Sequence, residues 1–517
     1  MQSVPFLSLA IWTPIVFGVA VLRIGSDRYP HRARWLALVG AIVGLLLTVP
    51  LVTGFDAHNT AVQFTEYKPW LAAFGSAWRM GVDGLSLWLV VLSAFTTLVI
   101  VIASWESVTT RVAQYHGSFL ILSGLMIGVF TSLDGMLFFI FFEATLIPLF
   151  VLIGTWGHAN RSYAAIKFFF ISFAGSLLML AAMLYLFGLT HTFDMAVWQH
   201  TRLGFAPQLL VFLGFFAAFA VKVPMWPVHT WLQDVYTDGP TGAAVSLGMI
   251  KIGGYGFLRF ALPITPDAAH YLAPVMIALS LIAVVYASLL ALAQKDMAKM
   301  LAYSSVAHMG LVTLGVFLFN QMSITGAIVQ MISYGFVAGA MFLCVGALYD
   351  RTRTRAIAEY SGVVNTMPRL ALFAVLFAMA NVGLPGTSGF VGEFLVIMGA
   401  VRVNFWIGAI AALTLILSAA YTLWMLKRVI FGAIKHDRVG KLIDLSRRES
   451  IVFAALAVIV LAIGIYPKPF TDVIDPAAAN IVAQLERTKP ADDGAGAAPT
   501  ASTISVQTDA RIPRTPT

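Results

Sequence analysis

The sequence predicts an all-α polytopic membrane protein. Of the 517 residues, 59% are hydrophobic and only 11% are charged, whereas soluble domains carry about 25% charged residues. At about 20 apolar residues per span, the apolar segments divide into fourteen predicted transmembrane helices. In chain order, helices one to fourteen are predicted at 5–23, 35–53, 83–105, 117–133, 135–155, 164–188, 207–231, 240–262, 271–293, 298–319, 322–349, 369–400, 404–431 and 450–466.

The basic residues predict how these helices are oriented. Loops after odd-numbered helices hold twenty of them, namely Arg23, Arg28, Arg32, Arg34, Arg111, Arg161, Lys167, Lys295, Lys299, Arg351, Arg353, Arg355, Arg369, Lys427, Arg428, Lys435, Arg438, Lys441, Arg447 and Arg448. Loops after even-numbered helices hold five, namely Lys68, Arg79, Arg202, Arg259 and Arg402. The positive-inside rule therefore predicts cytoplasmic odd-to-even loops and both termini on the outer side. The net charge of +8 is then a topology signal, and no nucleic-acid partner is predicted.

The chain ends and the single cysteine narrow the class further. No Arg or Lys precedes the first apolar segment and no small-residue cleavage site follows it, so we expect a retained span rather than a removed signal peptide. Cys344 alone excludes a disulfide framework and a self-contained iron–sulfur cluster, which needs several cysteines.

After Pro467 the composition changes. Residues 478–488 predict a short surface helix, and 490–517, rich in Pro, Ala, Thr and Gly, predict disorder.

The stretch Phe212–Asp234 places a lysine at a predicted helix break. An apolar helix reaches Lys222 and is then interrupted by Pro224 and Pro227. A lysine in hydrocarbon costs about 2.5–3.5 kcal/mol on insertion scales. Proline removes a backbone donor, so the freed carbonyls must find partners or line a cavity. A charge beside a break within a span predicts an ion path, and the alternative is a kinked helix whose lysine reaches the membrane surface.

Four other ionisable residues lie at membrane depth: Glu143 in helix five, Lys251 in helix eight, His308 in helix ten and Glu393 after a second break in helix twelve. Each would be costly facing lipid, so each is predicted to face the interior or water. Singly, Glu143 or Lys251 could form an ion pair that fixes helix packing, and His308 could be a satisfied core histidine. Together with Lys222 they predict a proton relay. Burial and a nearby opposite charge shift a pKa in opposite directions, so such groups can be switched.

A weak internal repeat supports a transporter. Pro224 and Pro385 are 161 residues apart, and Glu143 and His308, each two helices before a break, are 165 apart. Two broken helices at matching places predict two five-helix units, helices four to eight and nine to thirteen, and the odd helix number inverts the second unit. The predicted divisions are 1–116 for helices one to three, 117–262 and 271–431 for the two units, 450–466 for the last helix and 467–517 for the tail.

Other motifs lack the pattern that their chemistry requires. The glycine-rich segments GMIKIGG and GTSGFVG lie within spans and lack the spacing of phosphate-binding loops. The sequence shows neither zinc-ligand spacing nor a nucleophile–base arrangement. No metal site and no cofactor site are therefore predicted in this chain.

The motifs themselves show a family resemblance that runs from about Gly81 to Phe431. They are FFEATLIPLF, KVPMWPVHTWLQD, TDGPTGAAV, MIKIGGYGFLRF, QKDMAKMLAYSSVAHMG and LPGTSGFVGEF. They closely resemble the proton-translocating antiporter-like membrane subunits of respiratory NADH:quinone oxidoreductase (complex I), a family that also includes cation/proton antiporter and membrane hydrogenase subunits. The resemblance implies fourteen helices with two inverted five-helix repeats. The chain lacks the long C-terminal lateral helix of the L type. Its Glu393 stands where the L and N types usually have Lys, which favours the M type.

The resemblance also implies roles for the ionisable residues. Glu143 and Lys222 would form the pair between helices five and seven, Lys251 would be the central link, Glu393 the terminal site and His308 a member of the water chain.

Two further side chains are candidate relay members, His229 and Tyr334. Tyr334 stands in QMISYGF where the family commonly has His. Tyrosine has an ordinary pKa of about 10, so this side chain is expected to hydrogen-bond within the chain without holding the proton as His would.

The function implied is that of a subunit of proton-pumping NADH:quinone oxidoreductase in a bacterial inner membrane. Its partners would be the lipid bilayer and the neighbouring antiporter-like subunits, and it would bind no redox cofactor. A charge change in a neighbour would alter the Glu143–Lys222 pair, and the proton would pass through Lys251 and the His308 region to Glu393 and outward. Two alternatives stay open. One is a subunit of a multi-subunit sodium/proton antiporter, whose D-type chain also has Glu in helix twelve. The other is a scaffold subunit with structural ion pairs.

Overall fold

The fold is a bundle of apolar helices, described here from a computed structural model over residues 4–24, 29–71, 74–249 and 251–486. Within these ranges, twelve helices are long and apolar enough to cross a membrane by length and composition. The shorter apolar helices Leu87–Ala103 and Pro368–Val382 fall in the other two predicted spans, three and twelve. The predicted class, a multi-pass all-α membrane protein, is therefore confirmed.

The helices keep the ordinal numbers of the predicted spans. Their bounds are one, Phe6–Ile24; two, Pro30–Leu46 and Val49–Thr53; three, Leu87–Ala103; four, Val112–Thr131; five, Gly135–Ala144 and Leu146–Trp156; six, Arg161–Thr190; seven, Phe205–Lys222 and Thr230–Asp238; eight, Thr241–Met249, Ile252–Gly256, Phe257–Ala261 and Leu262–Ile264; nine, Pro266–Leu292; ten, Met297–Phe317; eleven, Gln321–Thr352; twelve, Pro368–Val382 and Ser388–Val403; thirteen, Phe405–Val429; and fourteen, Arg447–Ile465. Shorter helical segments are Met195–His200, Ile357–Glu359, Val363–Asn365 and Asp437–Gly440, and a last helix runs over Lys468–Glu486.

Helices seven and twelve are interrupted within the bundle. Helix seven ends at Lys222 and resumes at Thr230, because Pro224 and Pro227 cannot donate the backbone bonds that would continue it. Helix twelve ends at Val382 and resumes at Ser388. Its break begins at Gly383, whose φ of 81° lies in the left-handed region that glycine tolerates.

Helix eight, predicted as one continuous span, is also interrupted. The backbone leaves the helical region at Lys251, with φ −120° and ψ 29°, and the helix resumes at Ile252. A Cβ at Gly253 would lie 2.4 Å from Cγ2 of Val223 and 2.6 Å from the carbonyl oxygen of Phe219. Helix eight therefore approaches the broken end of helix seven as closely as only glycine allows, and it carries Lys251 with it.

A β-hairpin between helices two and three was not predicted. Strands Gln63–Leu71 and Ser76–Val82 pair antiparallel. Asp134, at the start of helix five, accepts hydrogen bonds from the Ser76 hydroxyl at 2.9 Å and the Ala77 amide at 3.2 Å. The same carboxylate accepts from the Leu137 amide at 3.0 Å and so caps helix five. The hairpin thus packs on the helix ends rather than in the membrane-spanning core.

The C-terminal helix differs from the short surface helix predicted at 478–488. It begins at Lys468, and one face is buried against the bundle through Ile474, Ala477, Ala478, Ile481 and Leu485. This spacing is that of an amphipathic helix. The Thr325 hydroxyl of helix eleven donates to Asp475 at 2.6 Å. The prediction was wrong because it gave no weight to this apolar stripe. Residues 490–517, for which disorder was predicted, lie outside the described residues.

Arg259 is likewise not the loop charge that the topology argument assumed. It lies in the π-helical turn Phe257–Ala261, is only 8% exposed, and its guanidinium contacts Asp83 at 2.6 Å. An ion pair within the bundle does not act as a loop charge, so the contrast between the two sets of loops is sharper than the sequence count suggests.

Candidate functional site

The centre of the site is a small cavity between the breaks of helices seven and eight. Its volume is about 30 Å³, and both Lys222 and Lys251 line it together with Ser305 of helix ten. A cavity of this size holds about one or two waters when polar groups line it. The two lysines, from different helices, therefore share one enclosed space.

Lys222 is the last residue of the first half of helix seven. Its Nζ lies 5.0 Å from the ring centre of Phe142 and 5.4 Å from that of Phe168. The faces of aromatic rings attract cations, and a helix C-terminus also favours positive charge. Both effects stabilise an ammonium group here without a carboxylate in direct contact.

The pair expected between Glu143 and Lys222 is open in this structure. Glu143 is within electrostatic reach of Lys222, but the two charged groups are not among the ion pairs within 4.0 Å in the described part of the chain. Oε1 of Glu143 finds no hydrogen-bond partner there, and the residue is only half-buried. The Lys222 amino group lies over the aromatic rings, so the pair that the resemblance implies is not a direct ion pair in this structure.

Tyr334 contacts both Lys251 and His308. Nζ of Lys251 is 5.1 Å from the centre of the Tyr334 ring, and the centre of the His308 ring is 4.5 Å from it. The phenolic hydroxyl shares a 3.0 Å hydrogen bond with Ser305, which also lines the central cavity. The residue that departs from the family pattern is therefore placed along the line of ionisable groups.

His308 and Glu393 are in direct contact. Nδ1 of His308 lies 3.0 Å from Oε1 of Glu393, and each side chain is 1% exposed. The Gln330 amide donates a hydrogen bond to this oxygen at 3.2 Å, whereas Nδ1 of His308 makes a close contact without hydrogen-bond geometry. Oε2 has no hydrogen-bond partner within the described ranges and packs so close to Gly383 that a Cβ there would lie 2.6 Å from it. The glutamate is thus held between a histidine and the glycine of the helix-twelve break.

Neutral polar residues extend this cluster, and sequence reasoning missed them. The Tyr421 hydroxyl lies 3.5 Å from Nε2 of His308 and 2.8 Å from the Ser304 hydroxyl. The Asn381 amide donates to Ser304 at 3.4 Å and to Thr422 at 3.0 Å. The sequence search considered ionisable groups only. The usable signal was the presence of Asn381 and Tyr421 inside otherwise apolar spans.

His229 is the candidate that the structure leaves outside the cluster. It lies between the two halves of helix seven and is 5% exposed, and its Nδ1 has no hydrogen-bond partner among the described groups. The centre of its ring lies 6.5 Å from that of Tyr286. It does not line the cavity of the two lysines.

Comparison with known proteins places this geometry in a family. Residues 132–418 match the family model described as NADH:quinone oxidoreductase/Mrp antiporter, TM. The chain is 47% identical over 494 residues to NADH-quinone oxidoreductase subunit M of Rhodobacter capsulatus, covering 92% of this chain and 96% of that relative.

Solved structures have the same fold. A chain of respiratory complex I from Thermus thermophilus with bound NADH is 33% identical and matches with a TM-score of 0.86, over 93% of this chain and 99% of that one. A chain of the Mrp complex from Dietzia matches with a TM-score of 0.79 at 18% identity, over 93% of this chain and 55% of that one. The latter identity is low, so this second match speaks for the fold alone. The chain therefore belongs to the NADH:quinone oxidoreductase/Mrp antiporter membrane family, and within it to the subunit M type that Glu393 favoured.

Proposed function

We propose that the chain is the proton-translocating M subunit of a respiratory NADH:quinone oxidoreductase and that its buried ionisable residues carry the proton. The observation that carries this proposal is the contact between His308 and Glu393, 3.0 Å apart and each 1% exposed, at the end of a line that starts in a cavity with two lysines. Ionisable groups inside a membrane protein are expensive and mark proton relays.

The first step takes place in the central cavity. Lys222 and Lys251 both line this space of about 30 Å³, which has room for about one or two waters to connect them. Two ammonium groups in one small cavity repel each other. A proton on Lys222 can therefore pass to Lys251 when Lys251 is neutral. The transfer becomes favourable when the surroundings of Lys222 stabilise its ammonium form less.

The second step runs past Tyr334 to His308 and Glu393. Ser305 belongs both to the cavity lining and to the hydrogen bond with Tyr334. Hydroxyl groups donate and accept at once, so Ser305 and Tyr334 can relay a proton without keeping it. His308 then exchanges the proton with Glu393, whose second oxygen has no hydrogen-bond partner within the described ranges and can take up the proton.

Coupling to electron transfer begins at Glu143. This carboxyl group is half-buried and open to Lys222 rather than paired with it, so a neighbouring subunit can change its environment. A charge arriving near Glu143 would draw Lys222 towards the carboxylate or release it, and would thereby change the proton affinity of the lysine. The redox centres belong to other subunits, and this chain binds no cofactor of its own. The membrane is the bacterial inner membrane, with both termini on the outer side.

The decisive experiment is replacement of Lys222 in the assembled complex. Lys222→Met and Glu143→Gln are each expected to lower NADH-driven acidification of proteoliposomes by more than about tenfold, because each removes a charge on which transfer depends. Quinone-reductase turnover should fall with it in a tightly coupled enzyme. A native gel and the subunit content report assembly.

The matched control is Lys427→Met, which removes an exposed lysine at the end of helix thirteen and should leave pumping near normal. A Lys222→Met complex that assembles and pumps normally would make the buried charges structural and reject the proposal.

A further inference from the structure

A second set of polar residues follows Lys251 along helix eight. On helix eight, Tyr255 and Arg259 follow Lys251 at intervals of four residues, a spacing that places side chains on one helix face. Tyr255 is fully buried and Arg259 is 8% exposed. The proposed relay to Glu393 uses neither residue, so their burial in the bundle calls for an explanation.

These residues form a continuous hydrogen-bonded chain. Nε of Arg259 donates to the Tyr255 hydroxyl at 3.2 Å, and Nη2 donates to Oδ1 of Asp83 at 2.6 Å. The Tyr255 hydroxyl in turn donates to the carbonyl oxygen of Phe130 at 3.0 Å. The turn that carries Arg259, Phe257–Ala261, is π-helical, a local widening that is frequent at functional sites.

The outer end of this chain meets a large cavity. Arg259 and Asp83 line a space of about 200 Å³ that is also bounded by the second hairpin strand, the segment around Asp194 and the last helix, through Ala477. All of these elements belong to the even-to-odd loops or to the tail, which is the side predicted to face outward. Along helix eight, Tyr255 and Arg259 therefore lie between Lys251 and the outer cavity that Arg259 and Asp83 line.

We propose that Arg259, oriented by Asp83, closes an outward branch of the proton path between Lys251 and this cavity. The proposal rests on the function proposed above, since it takes Lys251 as a proton carrier. Arginine stays protonated in proteins and has no acceptor, and a fixed positive charge in a narrow polar passage excludes protons and cations. Arg259 also occupies the acceptor side of the Tyr255 hydroxyl, the one group that could relay a proton there. It is a positioning residue and does not itself carry the proton.

The contacts of Asp83 argue against a purely structural pair. Besides Arg259, Oδ1 of Asp83 accepts from the amides of Leu85 and Ser86, both at 3.2 Å, and from the Ser86 hydroxyl at 3.2 Å. Asp83 is therefore held at the start of helix three without the arginine. Apolar side chains can often replace a buried ion pair without loss of stability. Stability alone therefore does not explain why a charged pair stands at this position.

Arg79 offers a matched comparison. It lines the same cavity, and its guanidinium contacts Asp194 and the ring of Tyr67, neither of which belongs to helix eight. Neutralising it removes a cavity charge and breaks an ion pair, but leaves the Tyr255–Arg259 contact in place.

The test is passive proton leak through the intact complex in proteoliposomes that contain a pH-sensitive dye. Arg259→Gln should raise the leak by at least about tenfold, because surface fields change local ion concentrations by that factor or more, while quinone-reductase turnover is retained. Arg259→Lys and Arg79→Gln should stay as tight as the parent. Asp83→Asn should stay tight too, because the amide oxygen of Asn can still accept from Arg259 and orient it. If the pair has only a structural role, Asp83→Asn and Arg259→Gln should give the same proton leak, since each variant removes the ion pair.

Further variants decide the remaining outcomes. Addition of Tyr255→Phe or Lys251→Met to Arg259→Gln should abolish the leak. An Arg259→Gln complex that is as tight as the parent overturns the proposal.

If this variant does not assemble, the swapped pair Asp83→Arg with Arg259→Asp keeps an ion pair but puts a carboxylate beside Tyr255. A leak then supports the proposal, and a tight or unassembled complex overturns it. Normal pumping by Lys222→Met would reject the proposed function separately, because the leak assay does not depend on turnover.

Discussion

At the scale of single residues, Tyr334 is where this chain tests the relay most sharply. The centre of its ring is 5.1 Å from Nζ of Lys251 and 4.5 Å from the centre of the His308 ring, and its hydroxyl bonds to Ser305 at 3.0 Å. The ring and the hydroxyl thus have different contacts. If protons pass here, the hydroxyl carries them and the ring only positions the neighbouring groups.

Replacing Tyr334 by Phe removes the hydroxyl and keeps the ring. Loss of one buried hydrogen bond is worth about 1 kcal/mol, so we expect proton pumping to fall about fivefold if that bond is used in the transfer step. The measurement is the initial rate of acidification per NADH oxidised in proteoliposomes. Ser305→Ala serves as the comparison, because it removes the partner and leaves the phenol. Unchanged pumping in both variants would place the proton route elsewhere.

At the scale of elements, the break of helix twelve depends on Gly383. Its φ is 81°, and an L-residue in this region costs about 1–2 kcal/mol. A Cβ would also lie 2.6 Å from Oε2 of Glu393. Gly386 in the same break has φ 90°, and nothing lies within 4 Å of its Cβ position. A side chain at Gly383 would therefore add backbone strain and also displace the glutamate, whereas a side chain at Gly386 would add backbone strain alone.

We predict that Gly383→Ala abolishes most of the proton pumping, whereas Gly386→Ala does not. Both substitutions carry similar backbone strain of about 1–2 kcal/mol, so their melting temperatures should fall by similar amounts. Only the first pushes the carboxylate away from His308. Equal activity of the two variants at equal assembly would show that the position of Glu393 is not limiting.

A second element-level feature is the junction around His158, in the loop after helix five. Nη2 of Arg355 donates to Nε2 of the histidine. Because Arg355 cannot accept, Nδ1 carries the proton and donates to the Tyr349 hydroxyl at 3.1 Å. Burial, and then the positive charges of Arg355 and Arg353, lower the pKa of His158 from 6.5 to about 4. The ring is therefore neutral at pH 7.

Acidification should weaken this junction. The unfolded histidine binds a proton as the pH falls below 6.5, whereas the folded one does not until about 4, so its contribution is fully present above 6.5 and is lost between these values. We expect the melting temperature of the complex to fall less steeply over this window in His158→Gln than in the parent. Identical slopes would mean that His158 is not protonated on unfolding.

At the scale of the whole molecule, the charges and cavities divide between two faces. The odd-to-even loops carry the basic excess, and the cavity at Arg259 opens among the even-to-odd loops and the tail. We predict that residue 486 lies on the outer side of the membrane. Alkaline phosphatase fused after it should therefore be active in intact cells, and green fluorescent protein fused at the same place should not fluoresce. A fusion after Thr352, in an odd-to-even loop, should give the opposite pair of readings.

Much of this architecture could be predicted because it is local in the sequence. Apolar runs long enough for a bilayer, and prolines that cannot donate a backbone bond, act within one segment, so the helices and the break after Lys222 follow from short stretches. The positions of Glu143, Lys251, His308 and Glu393 inside spans follow in the same way, since the depth of a residue is read from its place within the apolar segment.

What the tertiary structure decided were the distances between residues far apart in the chain. The shared cavity of Lys222 and Lys251, the direct contact of His308 with Glu393, the open separation of Glu143 from Lys222 and the pair of Arg259 with Asp83 all join different helices. The hairpin and the packed face of the last helix depend on partners of this kind as well. Hydropathy reports how deep a side chain lies but not its direction around the helix axis, and that direction determines which groups meet.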